Sequence, residues 1–422
     1  MNPVQVIQSL INVENVHKAT VVPLKPGQMV YGSVEKFLPN DTAIVRIGNR
    51  KLFADVKTLL STNENYWFEV VTSSNEGVQL KVLEQKGSAN SSHFLLNNFQ
   101  LPETKQNQQL LQFFLSKNVP FTKEQMKIAG FWLPNQTDLT KELTALEWMV
   151  RKDLPFTKPI FDSLLAVQDA RPLNQQLSEL VQQLDGPQFA SFQSTEPLKQ
   201  ILASIIGTES FNQVLNGNEA KHMLQSLIHS LGLEYEKDVG QTSNHLENTT
   251  HVLKPILMEA ISEFGSKGKE LEPLLNRLTG LQLLSQDFTG TIQQMVMQLP
   301  ITLGNQPTDV TIQWNGRKTK EGQIDPDYCR ILFYLDLQSL HQTVIDMQVQ
   351  NKVVHLSIIN DTKNLEPVIN ALTPSLKEKL ETIGYKLSFV NIVPSSEKRV
   401  VQHVNKPEHL FMEAYHGVDI KI

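Results

Sequence analysis

Eleven histidines and one cysteine stand out among the side chains of this 422-residue sequence that could ligate a metal or act as nucleophiles. His222 and His229 stand seven residues apart, which puts them near one face of a helix, and two imidazoles so placed could begin a zinc site. Coordination needs further ligands, and neither an HExxH sequence nor a CxxC pair provides them. No metal site is expected. Cys329 has no second cysteine to pair with, and it falls in the alternating run Tyr328 to Leu335, where a buried strand position accounts for it. A phosphate cradle needs several glycines so that backbone amides can approach the anion, and neither GxGxxG nor GxxxxGK(S/T) occurs. The GxSxG elbow of a serine nucleophile is absent as well. The expectation is a non-enzymatic protein with no catalytic residue, no cofactor and no small-molecule substrate.

A second chemistry is base stacking beside phosphate neutralisation. Tyr31, Phe37, Phe53, Tyr66, Trp67 and Phe68 lie close in sequence to Arg46, Arg50, Lys51 and Lys57, the ingredients of a single-strand binding surface. From Leu24 to Leu83, however, 7 Lys or Arg face 6 Asp or Glu, so no strong phosphate funnel is expected and most of these aromatics are assigned to core packing. A nucleic-acid-binding adaptor acting through this segment is the alternative to the reading developed below.

Composition sets the frame for both. The chain is 40% hydrophobic and 19% charged with a formal net charge of -6, enough apolar material for folded domains and no overall attraction to nucleic acid or anionic membrane. Its length calls for more than one core. The first residues lack a secretory signal and no run of about 18 apolar residues occurs. A cytoplasmic protein without membrane insertion is expected, with signal-independent export through a flagellar apparatus as the alternative.

The elements that would position any site change period along the chain. Asn2 and Pro3 followed by Val4, Ile7, Leu10 and Ile11 predict an N-terminal helix in 1–21. Alternation over Val30 to Val34, Ala43 to Ile47, Leu52 to Val56, Phe68 to Val70 and Leu80 to Val82 predicts a small antiparallel β-barrel, of OB or SH3-like kind, over 22–84. Small polar residues from Gln85 onward predict a linker over 85–103. A helical region is expected over 104–298, with helices near Thr195 to Ile206, Ser210 to Leu231, Leu246 to Phe264 and Lys269 to Gln298. Within it Asn118-Val119-Pro120-Phe121-Thr122-Lys123 returns as Asp153-Leu154-Pro155-Phe156-Thr157-Lys158, which predicts a helical hairpin used twice.

After Pro300 the alternation resumes in four strands, around Val310 to Trp314, Cys329 to Leu335, Ile345 to Val349 and Val354 to Ile358. The last two are joined across Gln350-Asn351-Lys352, short enough for a hairpin. Leu365 to Ile383 follows with Val368, Ile369, Leu372, Leu376, Leu380 and Ile383 in one helical stripe, expected to cover the sheet, and Pro374 is expected to kink or split that helix. A final strand over Tyr385 to Val393 completes an α+β domain over 299–395. The tail over 396–422 ends in an alternating stretch, Gly417 to Ile422, that suits a terminal strand or a docking peptide.

This succession resembles the C-terminal domain of flagellar hook-length control proteins. The likeness lies in Leu335-Asp336-Leu337 leading into the strand Thr343 to Val349, the strand Val353 to Ile359, Asn360 before the leucine-spaced helix, and Gly384-Tyr385-Lys386-Leu387 before the strand closing at Val390-Asn391-Ile392. Leu278 to Leu284 resembles the helix that precedes that domain. The chain departs from the pattern at Leu335-Asp336-Leu337-Gln338-Ser339-Leu340-His341, which has neither the proline nor the Leu-Gly pair often found there. The resemblance implies a protein-binding role, with the cytoplasmic domain of an export-gate switch protein as the partner and substrate switching in type III export as the outcome. Leu335, Leu337, Leu340, Val349 and Tyr385 are the partner-binding residues expected on this basis.

Overall fold

A computed structural model describes residues 24–38, 42–47, 50–56, 60–74, 77–85, 91–207, 217–233, 251–285, 292–303, 306–319 and 324–394. The expected N-terminal helix and C-terminal tail lie outside the described residues, as do Lys57 and most of the polar break Gly232 to His245. The chain forms two compact units, Val21–Asp162 and a second whose described part begins at Ser163. The helices expected as one region over 104–298 are therefore divided between two cores.

The first unit is built on a closed five-stranded barrel of β1 (Gln28–Phe37), β2 (Thr42–Ile47), β3 (Arg50–Asp55), β4 (Asn65–Ser74) and β5 (Gly77–Gln85). β1 pairs antiparallel with both β2 and β4, β2 with β3 and β4 with β5, and β3 closes the ring on β5 in parallel. The alternating apolar residues point inward, where Val34, Val45, Phe68 and Val70 are wholly buried. Gly32 lets β1 and β2 approach closely, since a Cβ there would sit 2.5 Å from the carbonyl oxygen of Arg46.

The expected linker over 85–103 is corrected. Residues 91–98 form helix α1 (Ser91–Asn98), and Leu95, Leu96, Phe99 and Leu101 are buried. The run of small polar residues that suggested a linker ends before this apolar group, which drives the helix into the core. Next come α2 (Lys105–Ser116), the two-residue strand β6 (Phe121–Thr122), α3 (Lys123–Trp132), α4 (Thr140–Arg151) and α5 (Lys158–Ala166). β6 adds to β1 through the pairs Gln28 with Thr122 and Met29 with Phe121.

The two copies of the Pro-Phe-Thr-Lys motif agree at the helix stop. Asn118 and Asp153 both take positive φ, at 49° and 53°. The next N–H, of Val119 or Leu154, then donates back to the carbonyl of Phe114 or Met149, a left-handed cap of the kind Asn and Asp tolerate. They differ at the phenylalanine. Phe121 is buried between Phe99 and Phe114, at ring distances of 6.0 and 5.4 Å, whereas Phe156 is half-buried and stacks on Trp132 at 5.7 Å. Thr122 closes a capping box with Gln125 at the start of α3.

The second unit holds α6 (Leu173–Leu184), α7 (Thr195–Ile206), α8 (Gly217–Leu231), α9 (Leu253–Phe264), a 3₁₀ turn (Gly265–Glu270) and α10 (Glu272–Ser285). A six-stranded sheet follows, built of β7 (Ile292–Leu303), β8 (Gln306–Lys318), β9 (Ile324–Leu337), β10 (His341–Gln350), β11 (Val353–Ile359) and β12 (Lys386–Val393), with α11 (Glu366–Thr382) between the last two strands. The strands run in sequence order across the sheet. All neighbours are antiparallel except β11 and β12, which form a parallel β-α-β unit around α11.

One expectation for this unit is corrected, and of the split or kink expected at Pro374 only the split is excluded. Residues 292–298 are not the end of a helix but the start of β7, paired with β8 along its whole length. Their Gln and Met residues are good helix formers, yet Met295, Met297, Leu299 and Ile301 alternate toward the core that α6 to α10 share with the sheet, and tertiary pairing overrides the local preference. Pro374 does not split its helix. α11 runs continuously over 17 residues, although the proline removes the N–H that the carbonyl of Asn370 would otherwise receive.

Candidate docking surface

α11 carries the surface feature on which a binding role can rest. At about 100° per residue its apolar residues span roughly a third of the helix circumference. Only one flank of that stripe meets the sheet. Ile369, Thr373 and Leu380 are half-buried, and Leu380 packs against the cluster of Cys329, Val349, Val354, Leu356 and Leu387. On the other flank Val368, Leu372, Leu376 and Ile383 are 54, 64, 37 and 66% exposed, and no residue of α11 is buried. The stripe expected to cover the sheet therefore covers it with one edge and leaves the other open. Phe389 of β12 is also exposed and lies against His355, with ring centres 4.6 Å apart.

The five expected contact residues do not share one surface. Val349 is buried opposite Cys329 and offers a partner nothing. Leu335 pairs with Thr343 and packs, half-buried, on the helical core. Leu337 and Leu340 sit half-buried at the turn between β9 and β10, where the Leu340 carbonyl accepts a 2.7 Å hydrogen bond from Asn360 Nδ2. Tyr385 packs at the far end of the hairpin, roughly 30 Å away at the usual rise of a strand. Its hydroxyl lies 3.5 Å from Asp327, and burial together with the acidic neighbours Asp327 and Asp325 pushes its pKa up. The exposed flank of α11 was missed because a leucine-spaced stripe beside a sheet reads as core. The signal lay in its width, since a lone sheet edge cannot bury six large residues of one helix.

Other groups with chemical promise are placed as follows. Cys329 lies buried in β9 and burial raises its pKa. His222 and His229 are exposed on α8, and among the described residues no group of three or more His, Cys, Asp or Glu could hold a metal. A shallow cleft of about 370 Å³ in the first unit is lined by Gln109, Gln112, Phe113, Ser116, Asp138 and neighbours. Of its polar groups Asp138, Thr140 and Ser116 are bonded locally, whereas Gln109 Oε1 is buried without a hydrogen-bond partner. Asp138 accepts from the hydroxyl and N–H of Thr140 at 2.6 and 3.0 Å, which holds its carboxyl below the usual range, and Ser116 donates to the Phe113 carbonyl. Among the barrel aromatics Tyr66, Trp67 and Phe68 are buried, Tyr31 is half-buried against Trp67, and Phe37 and Phe53 are exposed. Among the described residues no helix is long and apolar enough to cross a membrane.

Comparison with known proteins gives one relative. A protein of Bacillus subtilis (strain 168), described as the uncharacterized protein YlqG, is 33% identical to this chain over 156 residues. The matched region is 36% of this chain and 26% of that protein, so the likeness spans about a quarter of the relative. No family model matches, and no solved structure matches.

Proposed function

We propose that this chain is a non-enzymatic protein–protein interaction protein that resembles flagellar hook-length control proteins and acts through its C-terminal sheet domain. The partner is the cytoplasmic domain of an export-gate switch protein, and the consequence of docking is a change in type III export specificity. The observation that carries this reading is the open apolar flank of α11, because four large aliphatic side chains left in water on one helix face are a cost that a partner removes. Leu337, Leu340 and Tyr385 keep enough exposed surface to flank such a contact; Val349 does not. Docking of this kind takes place in the cytoplasm, and export through the flagellar apparatus is the alternative fate. The strand order of the barrel, with its parallel closure of β3 on β5, supports the OB over the SH3-like description.

Isothermal titration of the full chain with the cytoplasmic domain of an export-gate switch protein tests the proposal. Binding at micromolar concentration that is lost in Leu372→Glu/Leu376→Glu, with the fold intact, is the expected result. No heat at micromolar concentration, or binding indifferent to that double substitution, overturns it.

A further inference from the structure

The helices on the apolar face of the second unit's sheet leave a gap between them. The register places Ile331, Met347 and Leu356 side by side on β9, β10 and β11, with Phe333, Ile345 and Ile358 in the next row of the same face. Farther along that face, Leu299, Ile301 and Val310 of β7 and β8 are buried in the core shared with α6 to α10. Those helices lie chiefly on β7 and β8, and α11 lies chiefly on β12. Between them the two rows stay half-buried, Leu356 excepted. The four strand spacings from β8 to β12 come to roughly 19 Å, twice the separation of helices packed side by side. One further helix fits there. The open flank of α11 borders the same gap. Relative to Ile369, Thr373 and Leu380, which face the sheet, Val368, Leu372, Leu376 and Ile383 are turned back by about 40–120° at 100° per residue. In a right-handed crossover, the hand of β-α-β units, that direction points toward β10, while Glu366, Asn370 and Lys377 turn outward past β12. The two apolar rows are a floor and the open flank is a wall.

We infer that this groove takes one amphipathic α-helix from a protein partner, aliphatic on the face that enters and polar on the other, a partner whose identity rests on the docking proposal. The width admits a single helix. β10 and β11, of 10 and 7 residues, set the length of the floor, which a helix of about 15 residues matches at 1.5 Å per residue. An extended segment suits the groove poorly. β9, β10 and β11 are each paired on both sides, so a strand laid over them would find no backbone partner and would hold its own N–H and C=O groups against an apolar floor. A helix satisfies those groups internally and offers side chains alone.

Methyl NMR of the full chain with isotope-labelled methionine reads the floor directly, because Met347 stands in its middle row; Met347→Leu, which conserves volume, assigns the signal. The probe is a net-neutral Leu/Glu/Lys peptide of about 15 residues with leucines at i, i+3, i+4 and i+7. Its isomer, with the same composition and leucines at alternate positions, is the comparison. At saturation the helically spaced peptide is expected to shift the Met347 methyl and to leave Met258, 49% exposed on α9, in place. The alternating isomer is expected to move neither. Leu372→Glu/Leu376→Glu is expected to weaken the peptide on the order of a hundredfold, since two apolar side chains leave the wall. A Met347 signal that stays in place, equal shifts from the two isomers, equal movement of Met258, or indifference to the double substitution would each overturn the assignment. The peptide is not drawn from an export gate, so titration with the export-gate domain can fail while this one succeeds, and the reverse.

Discussion

Arg330 of β9 and Asp346 of β10 form a two-pronged ion pair inside the second unit, with Nε to Oδ1 at 2.8 Å, Nη2 to Oδ2 at 2.7 Å and side chains only 3 and 6% exposed. The pair runs diagonally across the register, Arg330 lying opposite Gln348 and Asp346 opposite Leu332, and Gln348 adds a 3.2 Å bond to the carboxylate. Asp346→Ala leaves a guanidinium buried without its counter-charge and is expected to cost about 3–5 kcal/mol. Removing both charges with Arg330→Met/Asp346→Leu is expected to cost far less, because the desolvation penalty goes with them. Urea denaturation of the two variants checks this; equal losses would show that the charge is not the deciding element.

Asp309 joins the sheet to a helix. Its carboxylate accepts the N–H groups of Leu173 and Asn174 at the start of α6, the latter at 3.0 Å, and so takes up amides that a helix leaves free at its first turn. Arg277 reinforces the junction from α10, donating to the Arg171 carbonyl, Gln176 and Gln298 at 2.8, 3.2 and 3.0 Å. Burial pushes the Asp309 pKa up, against the pull of the two N–H bonds and the Arg277 charge. A carboxyl with a raised folded-state pKa holds its proton more tightly in the folded protein. Its contribution to stability is fully present below the ordinary carboxylate pKa and is lost as pH rises through the higher folded value. The stability of the wild type relative to Asp309→Asn is therefore expected to decline as pH is raised from the carboxylate range toward neutrality. Urea midpoints across that range check it, and a flat or rising difference contradicts it.

How much of this was legible in the sequence depended on whether a residue's fate is decided locally. The barrel strands and the turn at Asn351 and Lys352 were readable because period-two alternation and a two-residue connection are local properties; both turn residues take positive φ, at 49° and 64°. β7 was not readable, since Gln293 to Gln298 favours a helix until β8 is beside it. The α11 stripe was legible as a stripe, but which flank faces the sheet is set by how the helix lies over β11 and β12. The exposure of Phe53 was hidden for a similar reason, because five neighbouring aromatics share its local pattern and only barrel closure separates Phe68 inside from Phe53 outside. The Asp309 junction spans 136 positions and has no local signature.

Gly280 of α10 marks a close helix approach. A Cβ there would lie 2.3 Å from both the Ser163 carbonyl oxygen and Val167 Cγ2. Alanine is the better helix former by up to about 1 kcal/mol, yet the clash is with backbone and cannot be relieved by a rotamer change. Gly280→Ala is accordingly expected to destabilise the second unit by about 1–3 kcal/mol, the usual range for overpacking. Thermal melting checks the sign, and a stabilised variant would mean that the helices separate more easily than their packing suggests.

The two motif phenylalanines, identical in sequence context, are expected to differ in weight. Phe121 is buried among Phe99, Phe114 and the β1 edge, so Phe121→Ala opens a cavity that its neighbours fill only in part and is expected to cost about 3–5 kcal/mol. Phe156 is half-buried and keeps one stacked partner, Trp132, so Phe156→Ala loses mainly that contact and the area it covers, about 1–2 kcal/mol. Urea denaturation of the two variants side by side decides the matter. Equal losses would mean that the second copy of the motif is as tightly packed in solution as the first, and that the pair acts as a true repeat despite their different surroundings.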